Sequence, residues 1–184
     1  DKEGKLPLHI AVKKNRPDIA RLLLEAYPEG AKEADKEGKL PLHYAVENKL
    51  PDIAHLLLEA YPEGAKQVDD SGELPLLFAV RNKLPEIARL LLEAYPEGAK
   101  QTSKFGSLPL HIAVMNKLPD IARLLLEAYP DSAKQADKDG RLPLHYAKTA
   151  DIARLLLEAY PDGAKQANKY GKLPLHYALE RNLQ

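Results

Sequence analysis

Every proline and every glycine of this 184-residue chain falls on one of a few positions that recur with a period of 34 residues. Gly4, Gly38, Gly72, Gly106 and Gly140 are 34 residues apart, and Gly171 follows after 31. Three residues after each stands Pro7, Pro41, Pro75, Pro109, Pro143 or Pro174. A second proline set is Pro17, Pro51, Pro85 and Pro119, and a third is Pro28, Pro62, Pro96, Pro130 and Pro161. The remaining glycines are Gly30, Gly64, Gly98 and Gly163. Self-similarity at such a period specifies stacked supersecondary units, since one short unit cannot bury its own apolar face. The units are 1–34, 35–68, 69–102, 103–136 and 137–167, followed by a half unit, 168–184.

The punctuation divides each unit. Asp1-Lys2-Glu3-Gly4 reads as a turn, with Asp bonding its own backbone and Gly at positive φ. Pro7 opens a short helix at the first helical position, where a missing N–H costs nothing. Pro17 opens a second, in which Ile19, Leu22, Leu23 and Ala26 fall on one face. Pro28 stops that helix, and Gly30 is expected to take the left-handed turn after it.

Asp-x-x-Gly-x-x-Pro-Leu-His-x-Ala followed by Leu-Leu-Leu-Glu-Ala, at this period and over the whole chain, resembles the ankyrin repeat. The resemblance implies an all-α solenoid: stacked helix-turn-helix units, curved, with the turns projecting as fingers. It also implies a non-catalytic module that holds protein partners on its inner helices and turn tips. Two departures affect the loops. Leu6, Leu40, Leu74, Leu108, Leu142 and Leu173 stand where the family has a capping Thr, so the cap must come from elsewhere. Ala-Tyr-Pro-x-Gly-Ala makes the turn after the second helix one residue longer.

Composition excludes other functions. There is no Cys, hence no disulfide, thiolate metal site or cysteine nucleophile. Lys plus Arg and Asp plus Glu both number 27, which argues against a nucleic-acid binder held by phosphate neutralisation. No apolar stretch approaches the ~20 residues of a membrane span. The absence of Cys and of a signal sequence leans the expectation towards an intracellular protein. His9, His43, His111, His145 and His176 recur at one position, with Leu77 in the third unit. Ladder members one repeat apart lie about 10 Å from each other, too far to share a metal ion. They read as structural, and no metal or cofactor is expected. The few Ser and Thr lie scattered in turns with no converging base, so no catalytic site is expected. Tyr27, Tyr61, Tyr95, Tyr129 and Tyr160 end the second helices and read either as a stacking ladder or as ligand contacts.

Differences between units speak to function. On the first helix Leu8, Ala11 and Val12 define the core face, and Ile10 lies about 200° from Leu8. Its equivalents Tyr44, Phe78, Ile112, Tyr146 and Tyr177 are expected to form an exposed stripe, read as an interface rather than as residues covered by neighbouring helices. Beside it the pairs Lys13-Lys14, Glu47-Asn48, Arg81-Asn82 and Met115-Asn116 vary, as do the finger residues Asp70, Ser71, Lys104, Phe105 and Tyr170, while the second helix is almost constant. These residues are the candidate partner contacts. The second and third units are acidic and the ends mildly basic, which suits a weakly basic partner near the middle. The alternative is a structural spacer or self-assembling rod, stacking end to end through terminal repeats that lack a dedicated cap. Near-identical units fit a designed array, a recent duplication or a piece of a longer array. The fifth unit lacks three residues, so its first helix should end early with Thr149 capping the next. Ser132, in a loop-glycine position, is expected to carry strain if its φ is positive.

Overall fold

The computed structural model describes residues 2–69, 72–103 and 106–182. Among them lie ten α-helices: α1 (Pro7–Lys13), α2 (Pro17–Ala26), α3 (Pro41–Glu47), α4 (Pro51–Ala60), α5 (Pro75–Arg81), α6 (Pro85–Ala94), α7 (Pro109–Met115), α8 (Pro119–Ala128), α9 (Ala150–Ala159) and α10 (Pro174–Asn182). No strand occurs among the described residues. The chain forms two compact units, 1–98 and 99–184.

In the first unit α1 packs on α2, α3 on α4 and α5 on α6. Like stacks on like: α3 lies against α1 and α5, and α4 against α2 and α6. The result of stacking is visible in burial. α2 hides only Ala20 and Leu24, whereas α4, flanked on both sides, hides Ile53, Ala54, Leu57 and Leu58. Each fully buried Leu or Ile contributes about 1.5–3 kcal/mol, so most of a helix's stabilisation comes from its neighbours. In the second unit α7 packs on α8, and α9 on α8. The short 3-10 segment Pro143–Tyr146 takes the place of the fifth first helix, between α7 and α10. Four residues instead of seven is the early ending expected from the deletion, and Thr149 Oγ1 accepts from Ile152 N at 3.4 Å to cap α9.

The missing helix cap is supplied by histidine. Leu6, Leu40, Leu108, Leu142 and Leu173 donate their backbone N–H to Nδ1 of His9, His43, His111, His145 and His176, three residues on, at 2.8–3.3 Å. The imidazole thus does from the third helical position what Glu does in a capping box. Because Nδ1 accepts, the proton sits on Nε2. Nε2 of His9, His43, His111 and His145 then donates to the carbonyl of Lys39, Gln67, Arg141 and Lys172 at 3.1–3.2 Å. One neutral ring therefore caps its own helix and ties it to the next turn.

Two loop expectations are corrected. Gly30, Gly64 and Gly163 do not take a left-handed conformation; they lie within the 3-10 turns Pro28–Lys32, Pro62–Lys66 and Pro161–Lys165. A side chain at Gly64 would place its Cβ 3.3 Å from the Tyr61 ring, so the glycine is there for close approach. Positive φ falls instead on Asn15, Lys49, Lys83 and Lys117, at 50–61°, between the paired helices. Ser132 is accordingly unstrained: it is buried, and its Oγ donates to the Tyr129 carbonyl at 2.6 Å. The finger turns follow the sequence reading, with Gly38 at φ 68° and its N–H on the Asp35 carbonyl. Within each compact unit adjacent fingers join, Lys36 N to Glu3 O at 3.1 Å and Lys169 N to Asp139 O at 3.2 Å.

Burial pushes the imidazoles of His9, His43, His111 and His145 below their ordinary pKa, against the opposing pull of the backbone carbonyls. Protonation would put a second N–H on Nδ1, facing the Leu donor. The unfolded chain titrates near 6.5 and binds more protons than the folded one as the pH falls through that value, so stability is present above it and lost below. Thermal melts should show the midpoint dropping from about pH 7.5 to about pH 5. His43→Leu, the residue found at Leu77, should cost about 1–3 kcal/mol at neutral pH by orphaning Leu40 N–H and the Gln67 carbonyl. It should also shrink the pH dependence; a profile unchanged by the substitution would refute this account.

Candidate functional site

The expected stripe on the first helices is covered in part. Tyr44 is 4% exposed and Ile112 is buried, while Phe78, Tyr146 and Tyr177 are partly covered and Ile10 is exposed. The reason is a motif joining consecutive units. His9 meets the Tyr44 ring edge-on at 6.1 Å, His111 meets Tyr146 at 6.1 Å, and His145 meets Tyr177 at 5.9 Å. Each Tyr hydroxyl then reaches the residue that begins its finger. Tyr44 Oη donates to Asp35 Oδ2 and Tyr146 Oη to Asp137 Oδ2, both at 2.6 Å. Tyr177 Oη accepts from Asn168 Nδ2 at 2.7 Å. The other oxygen of Asp35 takes the N–H groups of Glu37 and Lys39 at 2.9 and 3.0 Å. Desolvation pulls the Asp35 carboxyl upward, but these three donors outweigh it and hold it below the usual carboxylate value. Burial and the Asp35 carboxylate push the Tyr44 hydroxyl up to about 12, which keeps it a donor. Tyr44 and Ile112 are therefore shape-giving residues beneath the surface.

The variable residues beside the stripe lie nearer to solvent. Glu47 is half-buried and Asn48 exposed; Arg81 and Asn82 are exposed, and Asn82 Nδ2 donates to the Phe78 carbonyl at 2.9 Å. In the second unit Met115 and Asn116 are partly exposed, and Tyr170 at its finger is 59% exposed. Asp70, Ser71, Lys104 and Phe105 lie outside the described residues.

Two of these candidates carry charges already paired within the chain. Lys39 Nζ meets Glu47 at 2.8 Å. One repeat on, the signs are exchanged: Arg81 binds Glu73 through two parallel hydrogen bonds of 3.0 and 2.8 Å, and the guanidinium lies 5.7 Å from the Phe78 ring centre. In the half unit Lys172 meets Glu180 at 2.6 Å. The equivalent places in the fourth unit hold Ser107 and Met115, and in the fifth Arg141 with no counterpart. Arg141 instead lies among three tyrosine rings, 5.7 Å from Tyr146, 5.9 Å from Tyr170 and 5.7 Å from Tyr177. Its Nη1 also donates to Tyr146 Oη at 3.2 Å. Lys148, just past the shortened helix, reaches back to the Met115 carbonyl at 3.2 Å. Sequence reasoning took Glu47 and Arg81 one by one; the signal it passed over was the joint exchange of sign at positions eight residues apart.

The arrangement offers shape and side-chain chemistry for a polypeptide surface. Among the described residues no three metal-ligating side chains converge, and no helix is long and apolar enough to cross a membrane.

Comparison with known proteins agrees with this architecture. The family described as "Ankyrin repeats (3 copies)" matches residues 1–69, 26–102, 61–136 and 110–184. Among solved structures, the ankyrin repeat domain of Bcl-3, a member of the IkappaB protein family, is 28% identical with a TM-score of 0.82, covering 98% of this chain and 82% of that one. The ankyrin repeat protein EF0377 is 22% identical with a TM-score of 0.82, covering 95% and 91%. A chain of the complex of Bd0816, a predatory endopeptidase from Bdellovibrio bacteriovorus, with the immunity protein Bd3460 is 23% identical with a TM-score of 0.80, covering 98% and 94%. No curated protein matches by sequence.

The paired charges yield a test by urea unfolding. The Glu73 side chain is 3% exposed, so Arg81→Ala should cost about 3 kcal/mol by leaving a buried carboxylate alone. Glu47→Ala should cost less than about 1 kcal/mol, because its pair with Lys39 is partly solvated. The double exchange Glu73→Lys with Arg81→Glu, copying the second unit, should recover most of the Arg81→Ala loss.

Proposed function

We propose that this chain, which belongs to the ankyrin-repeat family, binds a protein partner through the exposed residues of its first helices and finger turns. Ankyrin repeats are in general protein–protein interaction modules and typically non-catalytic. The finer assignment rests on one observation: substitutions between units gather on the first helices and fingers, while the second helices stay nearly constant. Stability accounts for the constant residues, since Ile53, Leu57, Ile87, Leu91, Ile121 and Leu125 are all core. It accounts less for Met115 beside the stripe and for the Tyr170 ring, which stays 59% exposed. Constant second helices beside varied polar and aromatic side chains suit specific recognition, with Tyr and Met among the residues favoured at interface centres.

Affinity capture from a cell lysate, with mass spectrometry, tests the proposal. Asn48→Arg, Met115→Glu, Asn116→Arg and Tyr170→Ser together should abolish capture of the specific partner and leave the thermal midpoint within a few degrees. Arg89→Glu with Arg123→Glu, on the second helices, should leave capture intact. A spacer would instead tolerate the first set and self-associate with rising concentration, which overturns the proposal.

A further inference from the structure

In three units a charged pair joins the finger to the first helix behind it, with the partners eight residues apart: Lys39 with Glu47, Arg81 with Glu73, and Lys172 with Glu180. The fifth unit keeps the cation and lacks the acid. Arg141 stands where Lys39 stands in the second unit. Lys39 has two carboxylates, Glu37 on its finger at 3.7 Å and Glu47 on its helix at 2.8 Å. Among the described residues Arg141 has the finger acid alone, Asp139 at 3.3 Å, and Asp139 also pairs with Lys169. α3 continues through the turn that carries Glu47, whereas the helical segment of the fifth unit stops at Tyr146. Just past that end stands a second cation, Lys148, with its ammonium on the Met115 carbonyl. The chain nevertheless holds the Arg141 guanidinium in one place. The Tyr146, Tyr170 and Tyr177 rings surround it within 6 Å, and Nη1 donates to Tyr146 Oη. Nε is buried without a hydrogen-bond partner, while the side chain as a whole is 26% exposed and so open to contact from outside.

We infer that Arg141 anchors an acidic side chain of the protein partner: the bound polypeptide supplies from another chain the carboxylate that Glu47 supplies within the second unit. The inference rests on partner binding at the first helices and fingers, and names the chemistry recognised there by the fifth unit. A guanidinium already fixed by ring stacking loses little freedom on meeting a planar acid. It can take a carboxylate through two parallel hydrogen bonds, as Arg81 takes Glu73. The anion is a side-chain carboxylate rather than the phosphate of a bilayer or a duplex. Arg141 lies between three rings, where a slender side chain reaches it, and a broad charged surface meets the exposed Tyr170 ring first. The chain as a whole carries balanced charge, which gives no field to gather a polyanion.

The probes are peptides selected from a random display library on the immobilised full chain, and their affinities are read by fluorescence titration. One acidic residue of a selected peptide should dominate. Replacing it by its amide should weaken binding about tenfold or more on the unaltered chain and about twofold or less on Arg141→Gln, a coupling measured by a double-mutant cycle. Arg141→Glu should regain the peptide in which that acid is replaced by Arg. Arg141→Lys, the residue found at Lys39, keeps a side chain that the repeat already accepts and should retain part of the affinity. Lys165→Gln removes an equal charge from the loop after α9 and should change nothing. No acid coupled to Arg141, or an equal loss in Arg141→Gln and Lys165→Gln, would overturn the inference. So would anionic phospholipid vesicles that bind with the same Arg141 dependence while the peptides lack it. Peptides that survive Asn48→Arg, Met115→Glu, Asn116→Arg and Tyr170→Ser together would sink partner binding at this surface and the inference with it. Peptides lost in that variant but indifferent to Arg141 would sink the inference alone.

Discussion

A helix pair of seven and ten residues has more apolar surface than it can cover by folding on itself, and everything else in this protein follows from that shortage. The second helices carry Ile, Ala, Leu and Leu over two flanks, and only a helix on each flank removes all four from water. α2, with a neighbour on one side, leaves Ile19 and Leu22 exposed, while α4 hides the equivalent isoleucine. Stability is therefore a property of adjacency, and the sequence of each second helix is constrained twice, once by each neighbour.

Adjacency of apolar faces does not by itself fix the register of one unit on the next. The polar groups between units supply it. A neutral imidazole spans the gap with a bond at each nitrogen, and the edge of that ring seats the tyrosine of the following helix. The tyrosine hydroxyl then reaches the aspartate that orders the finger. Cap, helix and finger are in this way one connected hydrogen-bonded element, and its members are buried because each has a partner. The price of that arrangement is that the surface available for recognition is smaller than a helical wheel suggests: the largest side chains of the first helices are drawn into the joints.

The sequence carries the fold openly and the surface only in part. The 34-residue period, the proline at each helix start and the Leu8, Ala11, Val12 face sufficed to place nearly every helix. Deleting three residues was enough to foresee the shortened fifth helix and the Thr149 cap. The reading failed where side chains distant on the helical wheel or in the chain meet in space. Tyr44 looked exposed because its own helix turns it away from the core; His9 and Asp35, 35 and 9 residues away in the chain, bring it inside. Gly64 looked like a left-handed residue because glycine so often is; it lies instead within the 3-10 turn Pro62–Lys66, close to the Tyr61 ring. Glu47 and Arg81 looked like free recognition charges because each was taken alone, without Lys39 and Glu73 eight residues before them.

The amino-acid sequence alone determined the helical stack and its family, because a period and a set of conformationally restricted residues act through local backbone geometry. Tertiary structure alone decided which of the candidate side chains lie near solvent: Asn48, Asn82, Met115, Asn116 and Tyr170, with Tyr44 and Ile112 withdrawn. Exposure depends on what a neighbouring unit places over a residue, and that is a property of the packed array rather than of any one repeat.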